Sequence, residues 1–165
     1  MDVVTFRPVR RPSARVVLTD VSNRVLLFRG ADPGRQEESF WFTPGGGVED
    51  GEDLRRAAVR ELAEETGIHV GVEDLVGPTW LRKVVFPFEN VTYDAEEWFF
   101  LLHTERTEID TNGFTPLEKA TVDSHRWWTL DELESTADTV YPEQLAKLVA
   151  GLVADGWDGQ LRPVR

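Results

Sequence analysis

Three glutamates, Glu61, Glu64 and Glu65, stand near the end of a stretch rich in Ala, Leu, Glu and Arg that opens at about Asp53 and closes before Gly67. On a helix turning roughly 100° per residue, Leu54, Ala57, Ala58, Glu61, Glu64 and Glu65 share an arc of about 120°. An apolar stripe therefore runs on into an acidic one, and a helix whose first half faces a core goes on facing protein. Glutamate-rich helices are common as solvated faces, but two costs count against that reading here. Glu64 and Glu65 lie at the negative end of the helix dipole, where a cation is favoured by roughly 0.3–1 kcal/mol. Glu61 and Glu65 also repel each other at i,i+4. A divalent cation turns both penalties into attractions. Hard cations take carboxylate and carbonyl oxygens and usually bridge protein to phosphate, and Pro44-Gly45-Gly46-Gly47 just upstream lets a backbone carbonyl be aimed at the same ion.

The spacing carries more than the residue types. Gly46, five residues, Glu52, seven residues, and then Arg60-Glu61-Leu62-Ala63-Glu64-Glu65-Thr66-Gly67-Ile68 resembles the Nudix box at every defining position. The box spans 23 residues, and the family's order of strands and helices resembles the pattern read from about Ala14 to Ala154. The resemblance implies an α/β Nudix fold, a mixed sheet sandwiched between helices. It implies a hydrolase that cleaves a phosphoanhydride bond in a nucleoside diphosphate linked to another group, with Mg²⁺ as cofactor and Mn²⁺ as a substitute. Glu61, Glu64 and Glu65 match the family's metal ligands and, for one of them, its base, without the box saying which. The carbonyl of Gly45 matches a further ligand. Glu52 and Arg60 match the pair that buttresses loop and helix, with Arg60 orienting the carboxylates; Glu61, Glu64 and Arg60 are thus the candidates for the catalytic work. Glu118 is the candidate for the acidic residue that the family commonly adds from a late loop. It precedes Trp127-Trp128-Thr129-Leu130-Asp131-Glu132-Leu133, which is similar to the segment that often follows that loop.

The elements that must position these groups are read from periodicity and turn residues. Arg15–Thr19 and Arg24–Phe28 form a hairpin around Asp20 to Asn23. Residues 31 to 39, with Pro33-Gly34, read as a loop, and Phe40–Phe42 as a short extended segment ended by Pro44 and three glycines. The helix from about Asp53 to Thr66 is closed by Gly67. Trp80–Phe88 and Val91–His103 form a second hairpin around Glu89-Asn90. A glycine-containing loop from Asp110 to Thr121 leads to a strand around Arg126-Trp127-Trp128. Leu145, Leu148, Val149 and Leu152 give the stretch from Tyr141 to Ala154 helical periodicity. With no internal repeat, 165 residues suit one domain with its core at about 14–154.

Composition excludes other chemistries. The chain has no cysteine and three histidines, and a formal charge of −12 from 30 acidic and 18 basic residues. Thiolate nucleophiles, disulfides and zinc-thiolate sites are excluded, as is an isomerase on this fold that needs a cysteine, and a reducing cytoplasm fits. The average surface repels duplex nucleic acid, so the partner expected is a small nucleotide. The apolar runs are too short for a membrane span and the start lacks a secretory signal's apolar core. A monomer or a homodimer both fit.

Arg29, Arg82 and Lys83 are strand-end cations able to grip a phosphate, although such cations are usually solvated. Trp41, Trp80, Phe86 and Phe88 could stack on a base, with core packing the simpler role. Trp98 with Phe100, and Phe99 with Leu101, face opposite ways and read as core on both faces of a covered sheet. Arg82 stands where ADP-ribose hydrolases tend to carry a proline, and the tyrosine typical of dinucleoside polyphosphate hydrolases is missing from its place. Elimination leaves an oxidised-nucleotide or general nucleoside triphosphate pyrophosphohydrolase. The alternative class is a non-catalytic nucleotide-binding regulator on the same fold, which usually loses the box carboxylates present here.

Overall fold

The computed structural model describes residues 7–32, 35–88 and 90–165. Its strands are β1 (Val9–Thr19), β2 (Val25–Asp32), β3 (Arg35–Phe42), β4 (Gly45–Gly47), β5 (Val76–Phe88), β6 (Val91–His103), β7 (Val122–Trp128), β8 (Val140–Tyr141) and β9 (Arg162–Val164). Among the described residues four α-helices accompany them: α1 (Leu54–Thr66), α2 (Pro116–Thr121), α3 (Leu130–Ser135) and α4 (Leu145–Asp155). Among the described residues the strands form one mixed sheet in the order β8-β3-β2-β1-β6-β5-β9, with β4 paired to β1 and β7 to β2.

Strand β1 organises the sheet. It runs parallel to β6 from Val9 opposite Tyr93 to Thr19 opposite His103, and its middle, Ser13 to Arg15, pairs antiparallel with Gly47 to Gly45. Alternation along the strands makes two cores. On one face Ala14, Val16, Leu18, Phe28, Phe100 and Leu102 meet Ala57, Ala58 and Leu62 of α1. On the other, Val17, Leu27, Trp41, Trp80, Phe99 and Trp128 meet Leu133 of α3 and Leu145, Ala146 and Val149 of α4. A sheet covered on both faces needs apolar residues at successive positions, which is why Val16-Val17-Leu18 is buried throughout.

Several boundaries differ from the sequence reading. The loop expected over 31–39 is mostly strand: β2 and β3 pair as far as Asp32 opposite Arg35, leaving only Pro33-Gly34, which lie outside the described residues. Polar residues on a partly covered edge hide strand periodicity. Strand β1 begins at Val9, inside the basic start, and the three glycines form a strand where a turn was expected. Asp110 to Thr121 contains α2, whose Thr115-Pro116-Leu117-Glu118 is a capping box. Tyr141 belongs to a strand, and helix α4 starts only at Leu145. The second hairpin pairs as expected from Trp80 opposite Phe99 to Phe88 opposite Val91; Glu89 and the side chain of Phe88 lie outside the described residues.

Candidate active site

Helix α1 carries the acidic groups. Asp53 caps it by accepting from the Arg56 N–H at 2.8 Å, and Gly67 in the left-handed conformation ends it. The face that buries Ala57 and Ala58 goes on to bury Glu61 and Glu65. Glu64 is turned away, its side chain 41% exposed, so the acidic stripe splits into two buried carboxylates and one at the rim.

The third partner, only partly buried, comes from elsewhere. One carboxylate oxygen from each of Glu61, Glu65 and Glu118 lies within 4.8 Å of the others. Glu118 is fixed by its capping box: its Oε1 accepts from the Thr115 N–H at 3.0 Å and its own N–H donates to Thr115 Oγ1 at 3.2 Å. The short helix that the sequence reading missed is therefore what aims this carboxylate, and the Thr-x-x-Glu pattern was the signal that could have revealed it.

The glycine strand packs against the same groups. The Gly45 N–H donates to Glu65 Oε2 at 2.8 Å, while the Gly45 carbonyl accepts from Arg15 Nη1 at 2.9 Å. Gly45 has φ +143°, and a Cβ there would lie 2.2 Å from the Ala14 carbonyl oxygen, so only glycine fits. A Cβ on Gly46 would lie 2.7 Å from the Glu61 carboxyl carbon.

Arg60 ties the parts together. Its Nε and Nη2 donate to the two oxygens of Glu52, both at 2.8 Å, Nη2 also reaches the Gly47 carbonyl at 3.0 Å, and Nη1 reaches Glu61 at 3.0 Å and Glu64 at 3.4 Å. One guanidinium thus spans the loop before α1, the glycine strand and two carboxylates. That multidentate geometry suits Arg and not Lys. The Arg60 hydrogen bonds hold Glu52 below the usual carboxylate range.

The electrostatics are those of a site short of positive charge. Burial, followed by a hydrogen bond shared with Glu118, pushes Glu65 up to about 9. Burial also raises Glu61, against the pull of Arg60. For Glu118 the push of burial is outweighed by hydrogen bonds from Glu65 and Thr115, and the group ends below its ordinary value. Glu65 and Glu118 thus share a proton, the way two close carboxylates coexist without a cation. Three convergent carboxylate oxygens beside a backbone that leaves room for them fit a hard divalent cation.

Beside the glycine strand lies a cleft of about 280 Å³ lined by Arg11, Arg15, Gly46, Arg82, Phe86 and Glu97, among others. Glu97 takes Arg15 Nε at 3.0 Å and Arg82 Nη1 at 2.5 Å; burial pushes it up, but the two cations outweigh burial and hold it below its ordinary value. The Arg11 guanidinium sits 5.6 Å from the Tyr93 ring centre. In a chain of net charge −12 this is a local concentration of cations next to the acidic cluster. Of the other candidates, Arg29 pairs with Asp123 at 3.7 Å, away from the cleft, Lys83 is exposed, and Trp41 and Trp80 are core residues.

A NUDIX domain model matches residues 9–150. The chain is 38% identical over 138 residues to an RNA pyrophosphohydrolase of Caulobacter vibrioides, covering 76% of this chain and 75% of that one. It is 42% identical over 66 residues to an RNA pyrophosphohydrolase of Sphingopyxis alaskensis, where the match covers 40% of each chain. In fold it is similar to the MutT protein from Methanosarcina mazei Go1, with TM-score 0.60 at 18% identity over 91% of this chain and 97% of that one. The chain belongs to the NUDIX family and is an enzyme that hydrolyses a pyrophosphate bond. Among the described residues no helix is long and apolar enough to cross a membrane.

Proposed function

We propose that the chain is a Mg²⁺-dependent pyrophosphohydrolase, with Mn²⁺ able to substitute, acting on the 5′-triphosphate of a nucleotide or of a single-stranded RNA end. The observation that carries this reading is the convergence of Glu61, Glu65 and Glu118 beside a cleft walled by Arg11, Arg15 and Arg82. The names and identities of the curated relatives favour an RNA 5′ end over a free nucleotide. A single-stranded end meets the cleft's cations without bringing a duplex against an acidic surface. The cytoplasm is the compartment that supplies such a substrate.

In this reading Glu61, Glu65 and Glu118 hold the cation. The Gly45 carbonyl remains a candidate ligand, since an oxygen with two lone pairs keeps one beside its bond from Arg15. A divalent cation held by these residues would supply charge neutralisation to the phosphate oxygens and would lower the pKa of the attacking water. Glu64, half-exposed and steadied by Arg60, takes the proton from the attacking water, while Arg60 keeps Glu61 and Glu64 in place. Arg11 and Arg82 meet the outer phosphates, which leave as pyrophosphate. The test is release of phosphate and pyrophosphate with Mg²⁺ from a 5′-triphosphorylated RNA oligonucleotide, nucleoside triphosphates, ADP-ribose and a dinucleoside tetraphosphate. Turnover of the RNA end supports the reading. Full activity in the triple variant Glu61→Gln, Glu64→Gln, Glu65→Gln would overturn it.

A further inference from the structure

A second concavity, about 690 Å³, lies at the opposite end of α1 from Glu65. Its apolar walls come from Pro12, Val48, Leu54, Pro78, Trp98 and Phe100. The sequence reading placed Trp98 in a core, but the residue is only partly buried, and the way it is held differs from core packing. Glu96 accepts from Arg10 at 3.1 Å on the strand position two residues before Trp98, so the indole stands beside an ion pair and offers the groove an aromatic surface. The far wall is held in place: Arg55 packs 5.4 Å from the Phe100 ring centre and donates to the carbonyls of Val72, Leu75 and Gly77. Preformed, mostly apolar concavities of roughly 300–1,000 Å³ are the size of small-molecule sites.

The charges at the mouth narrow the ligand. Arg10 and Arg56 line it with side chains 69% and 76% exposed, each in a surface ion pair at 3.1 and 3.3 Å. Exposed pairs of this kind hold weakly and are readily exchanged for a ligand's anion. The two acids of the same wall are already engaged, Glu52 by Arg60 and Asp53 by the start of the helix. We propose that this groove is a second binding site, distinct from the acidic cluster, for a flat aromatic molecule carrying one anionic group. Glu52 lines the groove and also holds Arg60, whose Nη1 holds Glu61. Occupancy is therefore communicated to the acidic cluster, a consequence that rests on the reading of Glu61 as a metal ligand, whereas binding itself does not.

The full chain is titrated with anilinonaphthalene sulfonate, a flat aromatic with one sulfonate, and followed by probe fluorescence and by quenching of tryptophan emission. Saturable binding of one probe per chain is expected, weakened about tenfold or more by Trp98→Ala, since an aromatic wall dominates such contacts. Leu54→Glu tests the same wall with a charge that suits a helix N-terminus; with a thermal melt to show that it is folded, it is expected to abolish binding. Arg10→Ala weakens the sulfonate probe several-fold and leaves phenylnaphthylamine, its neutral counterpart, unaffected. Equal binding by wild type and both wall variants would overturn the site, as would a concentration-dependent dimer that Leu54→Glu turns into monomer, which would make the groove a contact between copies. Mn²⁺ affinity, read by water proton relaxation, shifts at least about twofold when the groove is filled. An unchanged affinity beside intact probe binding overturns the link to Glu61 alone, and neither readout depends on turnover.

Discussion

The Glu61 carboxyl occupies the space where a side chain on Gly46 would begin: a Cβ there lies 2.7 Å from its carboxyl carbon. The far end of a glutamate moves easily, so Gly46→Ala displaces the carboxylate at little cost to the fold. The variant is expected to melt within a few degrees of wild type and to lose about tenfold or more in kcat, since misplacement by an ångström costs that much. A steady-state assay beside a thermal melt checks this, and wild-type kcat would show that Glu61 needs no fixed position.

Arg60 makes contacts that one ammonium cannot reproduce. Arg60→Lys is expected to lose roughly 1–3 kcal/mol of stability, because the partly buried Glu52 and the Gly47 carbonyl lose donors. A double-mutant cycle with Glu52→Gln, read by urea denaturation, is expected to show coupling of at least about 0.5 kcal/mol. Additive losses would mean that the pair does not act as a unit.

The elevated Glu65 sets the metal-free pH dependence. A carboxyl raised to about 9 in the fold, against about 4.3 in the unfolded chain, binds its proton more tightly when folded. This contribution is fully present below the unfolded value and is lost as pH rises through the window toward 9. With chelator present, the melting temperature is expected to fall between pH 5 and pH 9, and Mg²⁺ is expected to restore it at the alkaline end. Glu65→Gln, neutral at every pH, flattens this slope and removes the Mg²⁺ effect. A metal-free protein equally stable across the window counts against a proton held between Glu65 and Glu118.

The two kinds of glutamate on α1 are expected to separate experimentally. Glu61→Gln and Glu65→Gln weaken Mn²⁺ binding about tenfold or more and leave the metal-free protein as stable as wild type or slightly steadier, because an amide removes the cost of burying an ionisable carboxyl. Glu64→Gln keeps most of the metal affinity and loses kcat by about 10²-fold or more, the scale of general-base catalysis. Isothermal titration with Mn²⁺ beside single-turnover kinetics distinguishes the two, and equal losses of metal affinity in all three variants would remove Glu64 from its separate role.

How far the sequence showed this site depends on whether each cause is local. Helix α1 and its caps could be read because Asp53, the Ala-Leu-Glu composition and Gly67 act within a few residues. The alternation of Phe99 and Phe100 between two cores follows from strand geometry alone. That Glu64 turns outward while Glu61 and Glu65 turn in could not be read, since three residues within one arc are divided only by where β4 and α2 stop covering the helix. The strand of three glycines is likewise invisible locally: β1 makes it a strand by pairing with it. The capping box around Glu118 was local and legible, but lay inside a segment read as a loop from its glycine.

The parallel pairing of β1 with β6 bears on how the site comes into being. Arg15, which donates to the Gly45 carbonyl, is held by Glu97, 82 positions away, and Glu118 arrives from further along still. No short stretch of chain can assemble the acidic centre before these distant segments meet, and closing loops of that length is slow. Maturation of the catalytic centre is therefore tied to the last and most non-local phase of folding, so a chain still emerging from the ribosome has the box helix before it has anything for that helix to work with.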